Sequence, residues 1–223
     1  MDSIVTITFF KYGSLRQKWV AFTNMGLLPS KIARVPGLSF FKLMGSGRRG
    51  FSLRPNWGTY ALLSVWDNIA SAKDYFSSSL FEAQKTQCQS HNTYYMRAFQ
   101  ARGLWDDVSP FEINGQSNTD KPIAVITRAT LKTRHLYNFW KHVPIIRNAV
   151  FNHEGRIFSI GVGERPFVMQ ATFSIWESSQ KMEAFAHHGK QHKKAIDEVR
   201  AKGMFKEELY ARFEMIDSDA IPN

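Results

Sequence analysis

The chain has 223 residues, 43% hydrophobic and 14% aromatic, with 29 Lys and Arg against 19 Asp and Glu, a net charge of +10 and one cysteine. That apolar fraction excludes a disordered chain, and a single cysteine excludes a disulfide framework, a four-thiolate zinc site and a cysteine-ligated iron–sulfur cluster. A lone thiol fits a reducing compartment, so a cytoplasmic protein is expected, and the charge points to an acidic partner: nucleic acid, an anionic membrane face or an acidic protein.

The first element, residues 4–10, is a β-branched and aromatic run with no basic leader before it, and it reads as a strand. Leu15, Trp19 and Phe22 then fall on one face of a helix. A hairpin follows, with its first strand in residues 39–44, a glycine turn at Gly45-Ser46-Gly47-Arg48-Arg49-Gly50 and a returning strand that ends at Trp66. A second helix starts at Asp67, and a final strand is read at residues 110–113. Residues 114–120 are polar and turn-rich. The same order then recurs: a strand from Ile123, a helix with Leu131, His135, Phe139 and Trp140 on one face, a hairpin through Gly161-Val162-Gly163-Glu164, a strand ending at Trp176, a helix from Glu177 and a last strand at residues 212–216. No apolar run reaches the ~18–20 residues that span a bilayer. The expected fold class is α+β: tandem ferredoxin-like (βαββαβ) repeats packed as a dimeric α/β-barrel-like body, with units 1–113 and 122–223 and a linker at 114–121.

Motifs narrow the chemistry. Gly45 to Gly50 matches G-x-G-x-x-G in form, but a strand rather than a helix follows, so a hairpin turn needing positive φ is expected there rather than a dinucleotide site. No nucleophile elbow, Walker loop or H-E-x-x-H occurs, and the carboxylates are too scattered for a glycosidase pair. His91, His135, His142 and His153 stand alone, whereas His187, His188 and His192 cluster. His188 and His192 are spaced for a zinc pair, though no third ligand is evident. His192 also continues the apolar stripe of Ala195, Ile196 and Val199. A neutral imidazole on the buried side of a helix is what a haem iron needs; a buried structural histidine is the plain alternative. Aligning Gly103 with Gly203 places Asn92 opposite His192, which puts one site in the second half.

Phe139-Trp140-Lys141-His142-Val143-Pro144, Gly161-Val162-Gly163-Glu164-Arg165-Pro166, residues 170–176, His192-Lys193-Lys194-Ala195-Ile196 and residues 207–213 resemble the spheroidene monooxygenase family, the acyclic carotenoid 2-ketolases of pigmented bacteria. Pro36-Gly37-Leu38 and the following residues to Gly47 agree. The resemblance implies a haem b (iron) monooxygenase that uses O2 and electrons from reduced ferredoxin. It implies oxygen insertion at C-2 of an acyclic carotenoid, first as hydroxyl and then as ketone. His192 is implied as the iron ligand, with Phe139, Trp140, Phe173, Trp176 and Ile196 around the cofactor, Phe158, Phe167 and Met169 as further walls, and Arg48 or Arg165 for the propionates; no catalytic residue is assigned. A haem carrier or sensor, or a dehydratase- or peroxidase-like haem enzyme acting on another apolar substrate, stays open. No nucleic-acid motif accompanies the charge. It suits an acidic ferredoxin or peripheral contact with the inner face of the cytoplasmic membrane through residues 15–34, which equally read as a core-facing helix. A homo-oligomer is compatible with the sequence.

Overall fold

The computed structural model describes residues 2–48, 52, 54–117, 120–141, 143–144, 150, 153–188 and 202–216, with the side chains of residues 186–188 left aside. Strand β1 (Ile4–Lys11) is followed by α1 (Leu15–Leu27) and α2 (Pro29–Ile32), the hairpin β2 (Leu38–Gly47) and β3 (Pro55–Trp66), helices α3 (Ile69–Phe76) and α4 (Ser79–Gln87), and β4 (Ser90–Gly103). The second half runs β5 (Ile123–Leu131), a 3-10 turn at Thr133–His135, α5 (Leu136–Trp140), the hairpin β6 (Arg156–Arg165) and β7 (Met169–Trp176), α6 (Ser179–His188) and β8 (Phe205–Ile216). The helix starts are written locally. The Ser14 hydroxyl accepts the Gln17 N–H while the Gln17 side chain accepts the Ser14 N–H, a reciprocal cap. Asn68 and Ser78 cap α3 and α4 in the same way with one bond each.

The eight strands form a closed antiparallel barrel in the order β1-β3-β2-β6-β7-β5-β8-β4. Within it the first half runs β4-β1-β3-β2 and the second β8-β5-β7-β6, the same path twice. Register sets the correspondence: Ile4 pairs with Trp66 as Ile123 pairs with Trp176, so Thr8 and Leu62 occupy the places of Thr127 and Thr172. One seam between the halves is long, β4 against β8 from Tyr95↔Ile216 to Gly103↔Leu209. The other is short, Gly45↔Gly163 and Ser46↔Val162.

That short seam corrects the reading of the glycine motifs. Gly45, Gly47, Gly161 and Gly163 are strand residues, and neither Gly45 nor Gly47 has a positive φ. At Gly47 and Gly163 glycine serves close approach instead: a Cβ on Gly47 would lie 2.6 Å from the Ser52 carbonyl oxygen, and one on Gly163 2.5 Å from that of Met169, whereas Gly45 faces open space.

Side chains alternate across each strand. One set fills the barrel, with Ile7, Phe9, Leu63, Met96, Phe173 and Phe213 at its centre. A void beside Ile7, Met44, Trp105 and Phe173 holds no more than about one water. The other set faces outward under the helices, where Phe10, Tyr60, Leu62, Trp66, Tyr75 and Phe81 form a second core in the first half.

Three further expectations change. Helix α1 turns Ala21 and Met25 to that core, while Leu15, Trp19 and Phe22 face solvent. The last strand of the first half is β4, not residues 110–113, of which Ile113 makes only an isolated bridge to Ala98. The Gly103–Gly203 alignment also fails, because Gly103 ends β4 whereas Gly203 precedes β8. The pairs Val5↔Met96 and Ala124↔Phe213 match Met96 with Phe213, and Asn92 is a strand residue paired with Phe9 rather than a counterpart of His192. The segment read as a linker begins strapped to the barrel: the amides of Asn114 and Gly115 donate to the Ala98 carbonyl, and the Asn114 side chain to that of Ser3.

Candidate functional site

The outward face of the second half differs from its counterpart in size and polarity. Where the first half places Phe10, Tyr60, Thr8 and Leu62, the second places Ala129, Gln170, Thr127 and Thr172. Thr8 and Leu62 are each 1% exposed; Thr127 is exposed and Thr172 half-buried.

Around this floor stand an aromatic wall and a polar group. Trp176 is buried, its ring centroid 5.1 Å from that of Phe185 on α6, and His153 meets both rings edge-on at 5.5 Å. The Trp176 indole donates to the Ser174 hydroxyl at 3.0 Å, so its polar edge is satisfied within its own strand. His153 Nδ1 accepts the Gly155 N–H at 3.2 Å. On β8, Arg212 Nε donates to the Tyr210 hydroxyl at 2.6 Å and Nη1 to Glu183 of α6 at 2.7 Å. Burial pulls the Arg212 pKa down, but Tyr210 and Glu183 outweigh it and the net shift is upward. This face therefore offers short floor residues, an aromatic cluster and a firmly protonated guanidinium.

The sequence-designated residues separate. Trp176 belongs to this face. Phe173, three residues earlier on β7, points the opposite way into the barrel and packs on Phe9 at 5.6 Å. Phe158 also packs against the interior. Phe139 and Trp140 form a third group on α5: their rings lie 5.7 Å apart, Phe139 meets Phe205 at 6.0 Å, and the Trp140 indole donates to the Phe167 carbonyl at 3.0 Å. Phe167 sits at φ +69, a left-handed turn residue. Arg48 and Arg165 are both exposed. His192, Ile196 and His142 lie outside the described residues, as do the side chains of His187 and His188. Among the described residues no three His, Cys, Asp or Glu are gathered to hold a metal ion.

A charged network inside the barrel had no sequence signal. Arg128 of β5, its side chain 1% exposed, pairs with Glu207 of β8 and at 3.3 Å with Asp106. Lys42 of β2 pairs with the same Asp106 and at 3.2 Å with Glu164 of β6. The Trp105 indole donates to Glu164 at 2.8 Å, and the Arg128 guanidinium lies 5.5 Å over the Trp105 ring. Asp106 and Asp107 adopt positive φ, and both amides donate to Glu207. Burial lowers the Arg128 pKa, while Glu164 and Asp106 oppose that; arginine still stays charged at neutral pH. The ion pairs run between the two halves of the chain, Arg128 to Asp106 and Lys42 to Glu164, so the network is a clasp between them. Its members are too far apart in sequence for spacing to reveal.

No protein-family model matches the chain. A curated relative from Cereibacter sphaeroides, spheroidene monooxygenase, is 35% identical over 215 residues, covering 95% of this chain and 66% of the relative; the chain thus spans about two thirds of that relative's length. Spheroidene monooxygenase of Rhodobacter capsulatus is 34% identical over 221 residues, covering 97% of this chain and 91% of the relative. Among solved structures, an aldoxime dehydratase in complex with butyraldoxime superposes with a TM-score of 0.65 at 12% identity, covering 98% of this chain and 80% of that one. At that identity the likeness concerns the fold alone.

Proposed function

The chain belongs to the spheroidene monooxygenase family, and we propose that it is a haem-dependent monooxygenase that oxidises an acyclic, spheroidene-like carotenoid at C-2. The observation that carries the reading is the similarity to the Rhodobacter capsulatus protein across 91% of its length. Each oxygen insertion consumes one O2, two electrons and two protons; one oxygen atom enters the substrate and the other leaves as water. Reduced ferredoxin is the proposed electron donor. The same proposal takes residues 1–113 and 122–223 as two ferredoxin-like units joined at 114–121, a division supported by their shared strand path.

The residues present suit haem b, a broad flat ring with two carboxylates. Ala129, Gln170, Thr127 and Thr172 leave depth where the first half fills the same positions with larger or more deeply buried side chains. Trp176, Phe185 and His153 supply an aromatic wall, and Arg212 a cation for a carboxylate. His192 is the proposed iron ligand, with Ile196 four residues onward. When bound, haem supplies the oxygen activation that side chains lack. The protein's share is to hold the cofactor, exclude water with the aromatic wall, and keep Arg212 charged through Tyr210 and Glu183.

The test is turnover of the haem-loaded protein with O2, reduced ferredoxin and an acyclic carotenoid, followed by mass spectrometry. The expected product gains one oxygen at C-2 and then loses two hydrogens as the ketone forms. Unchanged carotenoid in the presence of loaded haem contradicts the reading.

A further inference from the structure

The net charge is concentrated in one part of the chain. Between Ser3 and Trp66 there are nine Lys and Arg and no Asp or Glu, while the rest of the chain holds twenty Lys and Arg against nineteen Asp and Glu. This acid-free stretch contains α1, whose outer face is apolar. Leu15 is 86% exposed, Trp19 67% and Phe22 47%, at the i, i+4, i+7 spacing of one helix stripe. Trp57 of β3, 48% exposed, extends the stripe onto the barrel: Phe22 meets it edge-on at 5.3 Å and lies 6.1 Å from Trp19. Leu27, also exposed, continues the surface at the end of α1.

Nothing in the core requires this face, because Ala21, Met25 and Leu28 already seat the helix. Three aromatic rings in contact on a surface form a patch that marks an interaction site. Cations frame it. Arg16 and Lys18 lie on α1, the Lys18 Cε atom is 3.3 Å from where a Cβ would stand on Gly58, next to Trp57, and Lys31 is exposed at α2. Aromatic rings flanked by Lys and Arg, on a stretch of chain without a carboxylate, match the chemistry of an anionic bilayer surface, where Trp sits at the headgroup level and bases meet lipid phosphates. A second copy of the chain fits poorly, because a two-fold contact would set Arg16, Lys18 and Lys31 against their own copies.

We propose that Leu15, Trp19, Phe22 and Trp57, flanked by Arg16 and Lys18, form the surface by which the protein docks onto anionic lipid bilayers. This deepens the functional reading and rests on it for its purpose, since a long hydrocarbon substrate resides in the bilayer; the docking itself is measurable without turnover.

The experiment is co-sedimentation of the full chain with vesicles of phosphatidylcholine alone and of phosphatidylcholine mixed with phosphatidylglycerol. Binding is expected to the mixed vesicles and to weaken with salt. Combined Trp19→Gln, Phe22→Gln and Trp57→Gln should weaken it by about tenfold or more, and Arg16→Gln with Lys18→Gln should weaken binding and flatten its salt dependence. Because Trp19, Phe22, Trp57 and Arg16 are exposed and Lys18 is half-buried at the surface, circular dichroism and melting should match wild type. Sedimentation of the triple variant equal to wild type, or no sedimentation of wild type with either vesicle, overturns the proposal. So does a wild-type dimer that the triple variant dissociates, which assigns the patch to a second copy. Patch-dependent binding by a protein that oxidises no carotenoid upholds the docking surface and overturns only the functional reading.

Discussion

In the first half of the chain, Phe10, Tyr60, Leu62 and Trp66 point away from the barrel and disappear beneath α1, α3 and α4. At the matching places of the second half stand Ala129, Gln170, Thr172 and Trp176, of which the tryptophan alone is conserved in kind and burial. The strand path is identical, so the backbone does not dictate the difference. A sheet face needs an apolar cover only where a helix is to be its permanent neighbour. Reducing Phe to Ala, Tyr to Gln and Leu to Thr at adjacent positions removes that cover without disturbing the strands. The first half uses its outer face as core; in the second, Ile123, Val125, Trp176, Met182 and Phe185 form a smaller core, and the shorter, more polar positions beside it are the ones proposed to admit a cofactor.

The sharpest way to break this comparison begins with the region that both halves share. Arg128→Met leaves Asp106, Glu164 and Glu207 facing one another with only Lys42, and should cost about 3–5 kcal/mol in urea unfolding. A loss under about 1 kcal/mol would show that the clasp between the halves is dispensable. Next, Leu62→Thr copies the second half's residue into the first. It removes buried apolar volume and buries a hydroxyl, and should cost roughly 2–3 kcal/mol.

The two hairpins show what was readable in the sequence and what was not. The strands around Ile4, Trp66, Ile123 and Trp176 were legible because β-branched and aromatic runs end at turn-forming residues. The glycines between them read as turns because pattern alone cannot separate a glycine needed for positive φ from one needed for close approach; only Gly37, Gly103 and Gly203 have positive φ among the described glycines. The stripe of Leu15, Trp19 and Phe22 has core periodicity yet faces solvent, because periodicity identifies an apolar face and not the direction in which it points. Of the candidate site, Trp176 was legible from its place at a strand end. Tyr210, Arg212 and Glu183 were not, since their association depends on the packing of α6 against β8. Phe173 and Trp176 are three apart, an odd spacing that puts them on opposite faces of a strand.

A smaller effect distinguishes the halves by pH. Burial raises the pKa of Tyr75, in the first half's outer core, from 10.0 to about 12, while its hydrogen bond from Gln84 acts the other way. The folded state therefore favours the protonated phenol. Its contribution to stability is fully present below about pH 10 and is lost as the pH rises toward 12. Urea midpoints measured across that range should fall, and Tyr75→Phe should lessen the fall. The smallest effect on stability is expected from Thr172→Leu, within about 0.5 kcal/mol of wild type, because the position is not sealed. The same substitution should weaken haem uptake several-fold, read by titration of haem into the purified protein. A large gain in stability with unchanged haem uptake would mean that the second half's face is an underfilled core and not a reserved site.

Absorption spectroscopy of the purified protein titrated with haem tests the central claim most directly. The expected result is uptake of one haem per chain with a Soret band that shifts on reduction and addition of carbon monoxide, and loss of that band's ligand-bound form in His192→Ala. Absence of a Soret band in wild type, or a band unaltered by His192→Ala, would contradict a haem site in the second half held by that residue.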